Sequence, residues 1–247
     1  MIIKATDLTT KFGDRVIHDG LNFHVNEAEI YGLLGGSGTG KSTLMKTMIY
    51  LKKPSAGKIE MLGRDLWSLD EAARQEIKLA CSVMFQFGAL YTSMNVLENI
   101  YILLKEYSGM SERSMREIAM FWLQKVGLSE NVALQYPSEL SGGMKKRVAM
   151  ARALVLSPKI LFLDEPNSGL DPSSARAFDE LVVELRDTLG VTVVMVTHDI
   201  DSICTILDRF LILQDKKIAF EGTFEQLMKM SENPLEELLK TRKNGGK

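Results

Sequence analysis

The sequence predicts an α/β fold with a mostly parallel sheet covered by helices, and three observations carry that prediction. Strand-like and helical stretches alternate along the chain, the pattern of strand–helix–strand units. A glycine-rich turn, GGSGTGKS at residues 35–42, stands between the strand-like EIYGLLG and the helical KSTLMKTMIYL. A second apolar run, ILFLDE, ends in two carboxylates, Asp164 and Glu165, as a buried parallel strand does when it delivers acids to the ligand side of an open sheet.

Taken in order, residues 1–30 read as short strands; in LNFHVN, Leu21, Phe23 and Val25 alternate with polar neighbours, the period of a half-buried strand. The helix after the glycine-rich loop stops near KKPSAG, and GKIEMLG returns to strand character. Residues 95–156 are helical in pattern. Asn95 with Glu98 is a capping signal before VLENIYILLKEY. SERSMREIAMFWLQKVGL sets Met115, Ile118 and Trp122 on one face and ends at Gly127, a residue suited to the position past a helix end. Ser141 reads as the N-cap of GGMKKRVAMARAL, with Val148, Ala151 and Leu154-Val155 as its apolar face. After Pro158 come KILFLDE, a helix over residues 173–189, VTVVMVTHD, and a hairpin turning near Asp215. Thr223 with Gln226 is a further capping box, Asn233-Pro234 suits a helix start, and TRKNGGK reads as a frayed tail.

Of the 247 residues 45% are hydrophobic, enough for one large domain or one domain with an inserted subdomain. The net charge of −2 gives no bulk attraction to nucleic acid or anionic lipid. Cys81 and Cys204 have no metal or redox spacing and are expected to be reduced core or near-core thiols of a cytosolic protein. MIIKATDLTTKF lacks the features of a signal peptide. No apolar run approaches the roughly 18 residues that span a bilayer, so the chain is expected not to cross a membrane by itself.

Residues 35–42 satisfy G-x-x-x-x-G-K-[ST]. Gly35, Gly36, Gly38 and Gly40, with Ser37 and Thr39 between them, let the backbone turn its N–H groups inward on phosphate oxygens. The following helix, whose first turn carries Thr43, adds its positive end. Lys41 supplies a point charge to β- and γ-phosphates, and the Ser42 hydroxyl can ligate Mg²⁺. Asp164 is then placed to hold Mg²⁺ opposite Ser42, and Glu165 is the candidate base that orients the attacking water. An Asp-Glu pair after a strand is by itself more often a solvated turn; the phosphate loop makes it a site. In VMFQFGALYTSMNV, Gln86 sits among apolar neighbours and next to Gly88, where neither a buried strand nor a helix favours it.

LSGGM, residues 140–144, completes the set, and with it the chain resembles, over nearly its whole length, the nucleotide-binding subunit of an ABC transporter. The resemblance implies a RecA-like P-loop NTPase core, an N-terminal antiparallel β subdomain and an inserted α-helical subdomain. Residues 1–86 and 157–222 would form the core with its β subdomain, 87–156 the helical subdomain and 223–247 the C-terminal helices and tail of a single ATPase domain. It implies that Phe12 stacks on adenine, that Gln86 reaches Mg²⁺ and the attacking water, and that His198 is the switch histidine. In a head-to-tail dimer, Ser141, Gly142 and Gly143 would face ATP held by the second copy, with Asp171 of SGLD as the inter-subunit aspartate. Met144 departs from the commoner glutamine, and Asn167, where threonine is frequent, is taken as a neutral variation. Lys145, Lys146 and Arg147 read either as phosphate ligands in trans or as a solvated helix face, and His18 and His24 as satisfied structural histidines.

Within that family, FQFGALYTSMNVLENI is similar to the ATPases that work with MCE-type lipid-binding proteins, the maintenance of lipid asymmetry group; VTVVMVTHDI and DKKIAFEGT agree. That branch implies ATP-driven movement of phospholipid between membranes, from the cytoplasmic face of the inner or plasma membrane. It implies a permease docking near residues 86–94, an MCE-type protein in the complex and no nucleic acid. The rival classes are an ABC ATPase for another solute and a soluble ABC ATPase outside transport. A nucleotide-regulated adaptor is disfavoured by the intact Lys41, Asp164, Glu165 and His198.

Overall fold

The chain opens with a hairpin of β1 (Ile3–Phe12) and β2 (Arg15–Val25), ten and eleven residues long where short strands are expected. Alternation, shifted by one residue at a bulge between Ala5 and Leu8, buries Ile3, Ala5, Leu8, Leu21, Phe23 and Val25 on its inner face. The computed structural model describes residues 1–231 together with Pro234; the helix start expected at Asn233 and the TRKNGGK tail lie outside them. After the hairpin come β3 (Ile30–Gly35), α1 (Lys41–Met48), β4 (Ala56–Met61) and β5 (Arg64–Asp65). Next is α2 (Glu71–Ala80), capped by Asp70, and β6 (Cys81–Met84), two elements the sequence pattern did not announce.

The helical stretch holds α3 (Val96–Tyr107), α4 (Glu112–Lys125) and α5 (Gly142–Leu154). The Asn95–Glu98 capping box forms, Ser141 caps α5, and Gly127 takes the left-handed conformation past α4 (φ +75°). Then follow β7 (Ile160–Asp164), α6 (Pro172–Leu189), β8 (Thr192–Val196), α7 (Ile200–Thr205), β9 (Arg209–Gln214), β10 (Lys217–Gly222) and α8 (Phe224–Met228). The last hairpin turns at Asp215 and Lys216, and Thr223 with Gln226 forms the predicted capping box.

Two sheets result. The antiparallel one runs β2-β1-β4-β5, and the six-stranded one runs β10-β9-β3-β8-β7-β6, parallel except where β10 pairs with β9. One apolar cluster fills the space between the sheets and around α1, with Leu33, Leu44, Met45 and Phe162 buried in it. A second joins α3, α4 and α5 to the opposite face of the large sheet. Cys81 is largely buried, its thiol pushed up to about 12 by desolvation, but Cys204 lies exposed on α7, against the expectation of a near-core thiol. α7 turns Ser202 and Ile203 inward, which leaves Cys204 on its outer side. Among the described residues no helix is long and apolar enough to cross a membrane.

Candidate nucleotide site

β3, buried at all six residues, delivers the glycine-rich loop at its C-terminal end, and α1 begins at Lys41. Two glycines are required by sterics. Gly35 has φ +149°, and a Cβ there would sit 2.6 Å from Thr39 Oγ1 and 2.7 Å from the Leu213 carbonyl. Gly40, the N-cap of α1 at φ +103°, is packed from below by Ile17 and His18, so a Cβ would collide with both. No side chain caps α1, which leaves its first-turn N–H groups for an anion. Lys41 Nζ folds back onto the Gly35 and Gly36 carbonyls, 2.8 Å from each. Burial lowers its pKa, opposed by the carboxylates of Glu165 and Asp164.

A cleft of about 650 Å³ opens over this loop. Gly35, Gly36, Ser37, Gly38, Gly40, Lys41, Ser42 and Thr43 form its floor, with Phe12, Arg15, Glu165 and His198 around it. Thr39 turns inward instead, donating to the Gly36 carbonyl at 2.9 Å. Phe12 is 53% exposed and carries Lys52 Nζ 4.2 Å from its ring centre. His18, set aside in the sequence as structural, lies directly beneath the loop. Its Nδ1 is 2.7 Å from Thr10 Oγ1, its other nitrogen faces the Gly40 backbone, and burial lowers its pKa to about 4, so it is neutral.

Parallel strands β6, β7 and β8 end side by side and bring three distant residues together. Gln86 Nε2 donates to Glu165 Oε2 at 3.3 Å and to Ser168 Oγ at 3.1 Å, while His198 Nδ1 lies 3.3 Å from Glu165 Oε1. Asp164, half-buried at the end of β7, has its pKa raised by desolvation and by Glu165, against Lys46 and Lys41. Glu165 itself is left-handed (φ +47°), with its N–H on the Val196 carbonyl at 2.9 Å.

Ser141, Gly142 and Gly143 do not line this cleft; Ser141 is exposed and accepts from the Met144 N–H at 3.2 Å. Neither reading of the basic run fits two of its three members. Lys146 is buried, its Nζ donating to the Glu165 carbonyl at 3.4 Å and to the Pro166 carbonyl, and burial lowers its pKa to about 8. Arg147 donates to the Val126 carbonyl at 2.6 Å. Asn167, expected to be a neutral variation, sits in a buried polar triad: it donates to Asp179 Oδ1 (2.8 Å) and Ser202 Oγ (3.0 Å), while Ser202 donates to Asp179 Oδ2 (2.7 Å). A threonine, with a single O–H, could not donate to both partners. Asp171 caps α6, accepting from the N–H and hydroxyl groups of Ser173 and Ser174, which hold its carboxyl well below the usual range.

Beyond Gln86, the loop is held from behind. Arg152 of α5 donates to the carbonyls of Gly88 (2.5 Å) and Ala89 (2.9 Å), and the fully buried Asn99 bridges Tyr91, Met94 and Asn95. Phe87 (86% exposed) and Tyr91 (51%) are left projecting into solvent. Sequence patterning gives no signal for Arg152, because its partners are main-chain atoms far away in the chain.

The family model described as ABC transporter matches residues 18–168, a span that holds the phosphate loop, Gln86, LSGGM, Asp164 and Glu165. The chain belongs to the ABC transporter family. It is an ATP-hydrolysing subunit of that family. This ABC subunit is 36% identical, over 99% of its length and 92% of the relative's, to the intermembrane phospholipid transport system ATP-binding protein MlaF of Haemophilus influenzae. It is 36% identical to a probable ribonucleotide transport ATP-binding protein, mkl, of Mycobacterium leprae, covering 98% of this chain and 70% of that one. With the methionine import ATP-binding protein MetN of Brucella abortus the identity is 35%, over 95% and 63%. Its fold matches the dimeric ATP-binding cassette MJ0796 in a post-hydrolysis state bound to ADP and Pi, with TM-score 0.81, 31% identity and coverage of 90% and 98%. It also matches cbiO1 from Clostridium perfringens, part of the cbiONQ transporter complex, with TM-score 0.85, 28% identity and coverage of 99% and 97%.

Proposed function

We propose that this subunit powers the movement of phospholipid between membranes, paired with a separate permease and an MCE-type lipid-binding protein. The observation that carries the reading is the end-to-end likeness to the phospholipid system's ATPase, which this chain matches over 92% of that protein's length. A second reading, an ABC ATPase serving another solute, draws on the equal identity to the mkl protein and the near-equal identity to MetN, though over less of their lengths.

In this reading ATP lies in the cleft with adenine against Phe12 and its phosphates cradled by residues 35–43. Lys41 exchanges its two carbonyl partners for β- and γ-phosphate oxygens. Among the described residues no cluster of three His, Cys, Asp or Glu side chains could hold a metal by itself. That sparse set suits Mg²⁺, which keeps waters and takes one or two carboxylates plus substrate phosphates. Ser42, Asp164 and Gln86 would hold it, and it would supply neutralising charge on the phosphates. Glu165 orients the attacking water and accepts its proton, while His198 and Gln86 fix the two oxygens of its carboxylate.

A second copy, head to tail, brings Ser141, Gly142 and Gly143 to the exposed side of the nucleotide, with Asp171 at the seam. Residues 86–94, with Phe87 and Tyr91 exposed, form the face for the permease, the helical subdomain of residues 87–156 moving with it against the core of 1–86 and 157–222. The subunit then works on the cytoplasmic face of the membrane and needs no nucleic acid. Purifying the native complex and identifying its membrane subunit and bound lipid by mass spectrometry tests this. An MCE-type protein and phospholipid are expected; a polar-solute permease without lipid overturns the lipid reading and leaves the ATPase.

A further inference from the structure

We propose that Lys146 is a positioning residue for Glu165, holding the peptide that carries the candidate base from the helix whose N-cap is Ser141. The inference rests on the reading of Glu165 as the base. Glu165 adopts a left-handed backbone at φ +47°, which a side-chain-bearing residue keeps when its surroundings over-determine it. On the amide side, its N–H is held by the Val196 carbonyl of β8. On the carboxylate side, Gln86 and His198 each take one oxygen.

The remaining direction is the carbonyl side. There the Glu165 carbonyl accepts from the Ser168 N–H at 3.1 Å and from Lys146 Nζ at 3.4 Å, and Lys146 also reaches the next carbonyl, of Pro166. Proline has no N–H with which to tie this turn down, so the ammonium does it from outside. Lys146 is 6% exposed, too enclosed to serve as a phosphate ligand of a second copy. Both Ser141 and Lys146 belong to one helical unit, Ser141 as its cap, so a displacement of the Ser141 end is passed to the Glu165 carbonyl through α5. The ATP contact in trans and the water-orienting group in cis are thus mechanically joined within one chain.

The test compares the full chain with Lys146→Met, Lys146→Arg and Glu165→Gln, measuring kcat, KM for ATP, nucleotide affinity and thermal unfolding. K146M is expected to lower kcat roughly 10- to 100-fold, the effect of a small misplacement of a reacting group. KM and nucleotide affinity are expected to stay within about twofold, K146R to recover most of the rate, and K146M to add less than about twofold within E165Q. Where K146M does not fold, Lys146→Gln, a shorter and neutral side chain, carries the same comparisons. Near-normal turnover in E165Q overturns the base assignment and this inference with it. A slow E165Q beside unchanged kcat in K146M or K146Q overturns the role of Lys146 by itself, as does a parallel loss of kcat and affinity that arginine does not restore.

Discussion

Gln86 donates to Glu165 across 3.3 Å although 79 residues separate them in the chain. The bond joins the loop after β6 to the carboxylate after β7, so the loop that faces outward with Phe87 and Tyr91 has its root on the candidate base. Replacing Gln86 with alanine frees one carboxylate oxygen and Ser168. We expect kcat to fall on the order of tenfold with ATP affinity nearly unchanged, read in steady-state ATPase assays and nucleotide titrations.

Glu165→Gln keeps the shape and removes the basic carboxylate. ATP binding is expected to persist while hydrolysis slows by about 10²- to 10⁴-fold, the range of general-base assistance. Single-turnover kinetics decide this; a rate near wild type rules Glu165 out as the base.

Arg152→Ala would release the Gly88 and Ala89 carbonyls and the cation beside Tyr91. The loss of charged hydrogen bonds predicts destabilisation of roughly 1–3 kcal/mol, and faster amide exchange confined to residues 86–94 in hydrogen-exchange mass spectrometry. In the complex, transport should fall further than ATP hydrolysis.

His18 gives a pH dependence of definite sign. Burial depresses its pKa from 6.5 to about 4, so below pH 6.5 the unfolded chain binds a proton that the folded chain refuses. Stability is therefore lost as pH falls from about 6.5 toward 4, by roughly 3 kcal/mol over the window. Urea unfolding at several pH values should show that slope, and His18→Gln should flatten it.

Asp179→Ala strips the acceptor from both Asn167 and Ser202 in the interior. Two buried donors left unpaired predict a loss of roughly 1–3 kcal/mol each. A thermal melt that shifts by less than a degree would refute this account of Asn167.

The local chemistry was legible before any coordinates. Capping boxes at Asn95 and Thr223, the N-cap at Ser141 and the turn at Asp215 depend on residues a few positions apart, so the sequence shows both partners together. The glycine-rich loop was legible for the same reason: its glycines, Lys41 and Ser42 lie next to one another along the backbone. Less legible were α2 and β6: α2 buries only Ile77, and β6 is four residues long, too short to show an alternation.

By itself, then, the sequence determined the fold class and the family, and it marked the candidate nucleotide residues, because backbone geometry and short-range hydrogen bonding dictate those residue types. Tertiary structure decided which way Lys146, Arg147 and Arg152 point, that His18 underlies Gly40, and that Asn167 belongs to a buried triad. Each of these pairs residues from different elements, often with a main-chain carbonyl as acceptor. A carbonyl is the same at every position, so no residue type marks it in the sequence; packing chooses which one a long cation reaches.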